Sequence, residues 1–434
     1  MARSPASARR ASFRVARVVL SSLLLAPLAS SALVCDPLAH GAAGTGAVYD
    51  TAAVRAAVAE CGAAGGGTVL FAAGRTFLTG PFNVSSNTRL QVEGTVLGPP
   101  NATDYVLVDY LPWFGPDPGL PAGATDAREW SPLIQSWYAS NVSIAGGGTI
   151  DGNGAAWWRC ASNMSQPPCA AHTRPHLIRL VGGRGFEITG VTIKDSPMWQ
   201  VHLAFVTDAW VHDVRILAPS SSASSSPSHN TDGVDPDCAQ DVLIERVYIS
   251  TGDDAIAIKA GKDWWGRTHG RPSRNITVRD SVIGTGHGLS IGSEMSGGVY
   301  DVLFQNISAD GLGTGVRIKS QRGRGGLVAN VTYRDIRLTN TDGEVVQLTM
   351  NYNPGLPPTN ATATPRLFNV TVENLVSDKS KQGWLIDGLP ESALDTIVLR
   401  NVSINAVSSS LNVKCDYVRN SMCDGVQPSC PPCF

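Results

Sequence analysis

Four short segments in the middle of the chain carry side chains able to do acid–base chemistry. They are Asn230-Thr231-Asp232, Gly252-Asp253-Asp254, Gly286-His287-Gly288 and Arg317-Ile318-Lys319. Three carboxylates, one histidine and a basic pair thus recur every few tens of residues, each in strand-like surroundings. Cutting a glycosidic bond takes a pair of carboxyl groups, one to protonate the leaving oxygen and one to act on water or on the sugar. Three clustered carboxylates cannot all ionise cheaply, so one pKa rises and that group can serve as the acid. Arg317 and Lys319 alternate on one strand and so face the same side, where they can grip a carboxylate, the arginine in bidentate fashion. The set reads as a hydrolase of a polysaccharide that is itself anionic.

Neighbouring residues extend the candidate set. Adjacent strand residues point to opposite faces, so Asp253 and Asp254 share a site only if the backbone bends, as Gly252 permits. Gly286 and Gly288 flank His287 and allow close approach of a substrate. Asn230 reads as orienting its loop at the substrate site. Lys259 either meets a substrate carboxylate or faces solvent. Asp235 and Asp237 are site members or turn carboxylates, and Trp199 and His202 line a subsite or pack.

The elements that must position these groups are strands. Period-two alternation rich in β-branched residues recurs at 141–144, 186–193, 209–216, 241–249, 275–283, 301–307, 330–336, 368–375 and 397–404. Recurrence every two to four dozen residues argues a solenoid. The architecture that fits is all-β: a single-stranded parallel β-helix, right-handed by the usual sense of parallel connections. Asn, Asp or Gly at the strand starts suits bends between faces, because these residues tolerate left-handed backbone angles. Ten Asn-x-Ser/Thr sequons (Asn83, Asn101, Asn141, Asn163, Asn275, Asn306, Asn330, Asn360, Asn369, Asn401) permit glycosylation, but several sit at such bends and serve equally as turn residues. Residues 50–60 read as an amphipathic helix, capped by Asp50 or Thr51, that covers the first coil. A cysteine-rich C-terminus covers the last, and 33–434 form one domain. Pro112 to Pro121 and Ser220 to Ser228 read as loops leaving the coil.

Composition agrees. At 434 residues the chain exceeds a typical single globular domain, a limit that repeat folds escape. Charged residues are 16%, with 45 glycines and 27 prolines, which disfavours a helix-rich fold. A net charge of −2 argues against nucleic acid as partner. Arg3, Arg9, Arg10, Arg14 and Arg17 precede an apolar run from Val18 to Val34 with a Ser30-Ser31-Ala32 cleavage candidate, so 1–32 read as a signal peptide, a signal anchor being the alternative. Nine cysteines fit an oxidising compartment: Cys160 and Cys169 can close a short loop, Cys415, Cys423, Cys430 and Cys433 cluster at the end, and Cys238 is the candidate free thiol.

Taken together, the four segments resemble the signature of the polygalacturonases, the pectin hydrolases of glycoside hydrolase family 28. Asn230 to Asp235, Gly65 to Val69 and Gly148 to Gly154 also look like that family, and Val234 to Asp237 and Ser290 to Gly298 look like its plant-and-bacterial branch, which contains exo-acting enzymes. The resemblance implies inverting hydrolysis of α-1,4-linked galacturonan on a right-handed β-helix, without metal or cofactor. It implies that Asp253 is the general acid, that Asp232 and Asp254 hold and deprotonate the attacking water, and that His287 tunes the acid or touches the sugar. It adds Tyr352 to Arg317, Lys319, Asn230 and Lys259 as substrate contacts. Ala255 stands where many members have Cys, so a family disulfide is missing. The Ser220 to Ser228 insert and the Asp263-Trp264-Trp265 loop lie near the expected cleft and would favour exo action. The expected protein is a secreted, monomeric enzyme of the cell wall or extracellular space, with pectic polysaccharide as partner and neither nucleic acid nor a membrane. Other readings are a rhamnogalacturonan or xylogalacturonan hydrolase, a calcium-dependent lyase on a similar fold, and a non-catalytic wall-binding protein.

Overall fold

The computed structural model describes residues 33–115, 128–161, 166–169, 172–220, 227–354, 362–407 and 412–434. The leader read over 1–32, most of the Ser-rich insert, part of the Pro-rich loop and the sequons at Asn163 and Asn360 lie outside the described residues.

Successive β-rich phrases pair in parallel, each with the copies one coil below and above, into sheets of 21 and 11 strands, and the whole is a right-handed parallel β-helix. Period-two alternation sends every second side chain inward, so like positions stack in columns. Ile291, Ile318, Leu348 and Ile386 are successive partners in register, each at most 2% exposed. On the opposite wall Val278, Phe304, Tyr333, Val372 and Leu399 do the same. Each such buried side chain contributes about 1.5–3 kcal/mol of transfer free energy, which is what holds the coils in register.

The bends fall on Asn and Asp, as the pattern predicts. Asn275, Asp301, Asn330 and Asn369 have φ of +52, +56, +57 and +55°. Their side chains form a ladder: Asn275 Nδ2 donates to Asp241 Oδ1 (2.6 Å), Asn330 to Asp301 (2.9 Å) and Asn369 to Asn330 (2.8 Å). These sequon asparagines therefore have a turn role.

The N-terminal helix α1 (Thr51–Ala63) buries Ala53, Val54, Ala57, Val58 and Cys61 against the first coils. The expected cap does not form. Asp50 has φ −96° and ψ 10°, not the extended backbone of a capping residue, and its carboxylate accepts instead from the amides of Ala43 and Gly44. Thr51 Oγ1 accepts from Gly80 N. A Cys35–Cys61 disulfide, not anticipated from sequence, pins α1 to the first strand. Cys160–Cys169 closes its loop as expected, Cys415–Cys433 and Cys423–Cys430 tie the C-terminal cap, and Cys238 is a buried free thiol. The loop expected at Asp263-Trp264-Trp265 is instead a short helix, Asp263–His269, ended by Gly270 at φ +57°. No helix among the described residues is long and apolar enough to cross a membrane.

Candidate active site

The eleven-stranded sheet carries the site. In chain order its strands are β1 (Phe82–Asn83), β2 (Ile134–Trp137), β3 (Ile178–Val181), β4 (Val201–Ala204), β5 (Val234–Asp237), β6 (Ile256–Ile258), β7 (Leu289–Ile291), β8 (Val316–Lys319), β9 (Val346–Thr349), β10 (Trp384–Asp387) and β11 (Val413–Asp416). Coils are stacked roughly 4.8 Å apart. Residues far apart in sequence but equivalent in register therefore become neighbours: Ser290, Arg317 and Gln347 are successive partners on the outer face of β7, β8 and β9.

The carboxylates lie on the turns entering β5 and β6, and His287 on the turn entering β7. The turns are locked by Gly233 N to Asp254 O (2.9 Å), Ala255 N to Gly288 O (3.0 Å) and His287 N to Asp253 O (2.8 Å). The glycines answer to this stacking. A Cβ on Gly252 would stand 2.3 Å from Ser228 O, and one on Gly288, at φ +140°, would stand 2.4 Å from Thr314 O. Close backbone contact requires them, where the sequence reading assigned them to a bend and to substrate access.

Asp254 is fully buried and heavily partnered. Its Oδ1 accepts from Ser290 Oγ (2.7 Å) and Arg317 Nη1 (2.9 Å), and its Oδ2 from Lys319 Nζ (2.7 Å). Burial alone would raise its pKa, but Lys319 and Arg317 outweigh burial and hold the carboxyl well below the usual range. Arg317 and Lys319 read from sequence as the grip on a substrate carboxylate. Both are buried, and their main partner is Asp254. Arg317 also donates to Gln347 Oε1 (2.8 Å) and to the Tyr352 hydroxyl (3.3 Å), so Tyr352 does join the basic pair.

Asp253 is the carboxylate that reaches the surface. Its Oδ1 meets Asp254 N (2.8 Å) and His287 Nδ1 (3.0 Å), and its Oδ2 accepts from Asn230 Nδ2 (3.3 Å). Burial pushes its pKa up, but the hydrogen bond to His287 prevails and the net direction is down. That same bond raises His287. The two opposite directions favour the pair's proton on His287, facing Asp253 Oδ1. His287 and Asp253 side chains are 44% and 15% exposed, so the cluster opens to solvent on their side.

Asp232 behaves differently. Burial first, and then the neighbouring Asp253 charge, push its pKa up to about 7. Asp235 is fully buried, and burial followed by the Asp232 charge drives it far above the usual range. The raised pKa values thus fall on Asp232 and Asp235, whereas the clustering argument had placed one on the acid. Lys259 does not face solvent. It is 3% exposed, with Nζ 3.4 Å from Asp232 Oδ2, Asp235 Oδ1 and Glu294 Oε2 alike, and it lies over the Trp199 ring at 4.4 Å.

Trp199 and His202 pack. His202 Nε2 lies 3.1 Å from Asp237 Oδ2, and burial lowers its pKa to about 4, so it is neutral. Asp237 also accepts from Trp113 Nε1 (2.7 Å) and Gly261 N (2.9 Å), so at the end of β5 it has a structural role. Sequence reasoning missed Ser290, Gln347 and Glu294 as partners of the charged core. Ser290 and Gln347 carry a signal in retrospect, as outward polar residues in otherwise apolar strands. Atoms of Asp253, Asp254 and His287 come within 4.8 Å of one another, a spacing that metal ligands use. There, however, Arg317 and Lys319 already supply Asp254 with the positive charge a cation would bring.

Residues 74–424 match the model of glycosyl hydrolases family 28. The chain belongs to that family. It is 29% identical over 425 residues to a probable polygalacturonase of Vitis vinifera, covering 96% of this chain and 83% of that one. It is 30% identical over 312 residues to an endo-polygalacturonase of Pectobacterium carotovorum, covering 68% and 71%. The structure of a hyperthermoactive exopolygalacturonase from Thermotoga maritima superposes with a TM-score of 0.73 at 25% identity, covering 91% and 92%. The family resemblance drawn from the four segments is met, and the chain is a glycoside hydrolase.

Proposed function

We propose that this enzyme is secreted and hydrolyses the α-1,4-galacturonosyl linkages of polygalacturonan with inversion. The observation that carries the reading is the division of charge within one cluster. A part-buried Asp253–His287 pair open to solvent holds a proton, a buried Asp232 has its pKa at about 7, and Asp254 is held ionised. Asp253 then donates to the leaving glycosidic oxygen, and His287 resupplies the proton. Negative charge on an arriving uronate favours the protonated pair, so an anionic substrate readies its own acid. Asp254 uses three of roughly four acceptor positions on Ser290, Arg317 and Lys319, leaving one for the attacking water. Asp232 takes that water's proton, in keeping with a base whose pKa lies near the working pH. Lys319 has donors beyond the one it gives Asp254, and with Arg317 and Tyr352 it offers contacts to a galacturonate carboxylate.

Exo action is the finer part of the proposal. Trp113 is anchored to Asp237, and Trp265 of the short helix packs on Gly115, where an added Cβ would come 3.0 Å from the indole. Together they raise a wall beside β4 and β5 that supports a cleft closed at one end. Secretion is supported by the basic, apolar leader and by four disulfides. Product analysis on demethylated polygalacturonic acid tests the reading. Monogalacturonate from the first time point is expected. Mixed oligomers would retain hydrolysis and reject exo action, and unsaturated, ultraviolet-absorbing products would reject hydrolysis altogether.

A further inference from the structure

Arg174 belongs to none of the segments singled out by sequence, yet it is a charged side chain only 3% exposed beside the site. A buried guanidinium needs compensating partners, and these are specific. Nη1 donates to the carbonyls of Pro197 (2.9 Å) and His229 (2.7 Å), and Nη2 to Asn230 Oδ1 (2.6 Å). Arginine has no acceptor, so the amide atom that faces it is the oxygen. The Asn230 amide nitrogen is thereby turned to Asp253 Oδ2, 3.3 Å away. The turn that carries Asn230, itself at φ +56°, is closed by Thr231 Oγ1 to Ser228 O (2.7 Å) and by Gly252 N to Thr231 Oγ1 (3.0 Å). Asp253 Oδ1 already has two partners, Asp254 N and His287, whereas Oδ2 has Asn230 alone among the described residues. Oδ2 is therefore the oxygen with room to carry the transferable proton.

We propose that Arg174 is a positioning residue. By fixing the Asn230 amide, it aims a donor at the negative charge left on Asp253 when the proton departs. The inference deepens the proposed reading of Asp253 as acid, and its kinetic arm rests on that reading. The charged groups acting on Asp253 are His287, Asp254, Asp232, Lys319, Arg317 and Arg174 itself, and Arg174 acts both directly by its charge and through the neutral Asn230 amide.

The test compares Arg174→Gln, Asn230→Ala and the double variant, with Arg174→Lys as a version that keeps the charge and loses the fork. Thermal melts confirm folding. The expected loss in kcat is roughly ten- to a hundredfold for Arg174→Gln, with KM changed by less than about threefold. Its basic pH limb should move up, because Asp253 loses a stabilising donor. The double variant should fall clearly short of the product of the two single losses, since Arg174 acts in part through Asn230. An arm independent of activity follows the His287 ring by NMR: its titration should move to higher pH in both single variants. Losses that multiply in the double variant, or a His287 titration unmoved from wild type, would overturn the proposal. If wild type releases no product from galacturonan, the substrate reading fails while the His287 titration still decides the role of Arg174.

Discussion

Replacing Lys259 by Met removes the one amine shared by three carboxylates while keeping the length of its stem. Nζ lies 3.4 Å from oxygens of Asp232, Asp235 and Glu294. At that distance, with an effective dielectric of about 20, the attraction to each carboxyl is about 5 kcal/mol before relaxation once that carboxyl is ionised. Breaking a buried ion pair by removing one partner costs roughly 3–5 kcal/mol, because an uncompensated charge stays behind. The sign with pH follows from linkage. The folded pKa of Asp232 lies at about 7, above the 3.8 of a free aspartate, so wild-type stability already declines as pH rises between those values. Without Lys259 the three carboxyls bind protons more tightly in the folded state than in wild type, so the decline steepens. The variant should lose the Glu294 pair already at pH 5, where that carboxyl is ionised in wild type, and lose most at pH 8, where Asp232 is ionised as well. Asp232 must be ionised to act as base, so the acidic limb of the kcat profile should also move up, by at least about one pH unit. Thermal melts and pH–rate profiles on both proteins measure the two effects. Stability curves that run parallel with pH, together with an unmoved acidic limb, would show that Lys259 does not set the charge of Asp232.

His287→Gln should lower kcat by at least about tenfold and move the basic limb down, since a lone carboxylic acid holds its proton less tightly than a histidine raised above 6.5. A pH–rate profile with the wild-type basic limb would contradict the shared proton. Ile318→Ala, in the inward column of β8, should cost about 2–5 kcal/mol by denaturant unfolding with the site chemistry intact at low temperature. Asn330 sits at φ +57° with ladder bonds to Asp301 and from Asn369, so Asn330→Ala should destabilise by about 1–3 kcal/mol and more than Asn330→Gly, which keeps the backbone freedom. The reverse order in thermal melts would deny the left-handed turn role.

The coil was legible because its physics is local and repeated. Alternation at 275–283 or 330–336 gives a strand, and Asn or Asp at the bend gives the turn, with no knowledge of the rest of the chain. The four segments were legible as acid–base groups for the same reason. What sequence did not yield is pairing across coils. Arg317 meets Asp254 because their positions are two coils apart in space and 63 residues apart in the chain. Lys259, Glu294 and Asp235 form one charge cluster by the same stacking, and Arg174 reaches Asn230 across 56 residues. The Asp50 cap failed because a tertiary demand, the amides of Ala43 and Gly44, took the carboxylate first. The raised pKa fell on Asp232 and not on Asp253 because burial and partners set that order, and neither is written in residue spacing.

Central to the account is a proton given by Asp253 while Asp232 and Asp254 direct water to the opposite face of the sugar. Proton NMR of the product anomer during the first turnovers on demethylated polygalacturonic acid, run beside Asp253→Asn, tests this most directly. The new reducing end should appear first as the β anomer, and Asp253→Asn should lose roughly a hundred- to ten-thousandfold in rate while remaining folded. An α anomer at the outset, or an Asp253→Asn variant with wild-type turnover, would contradict it.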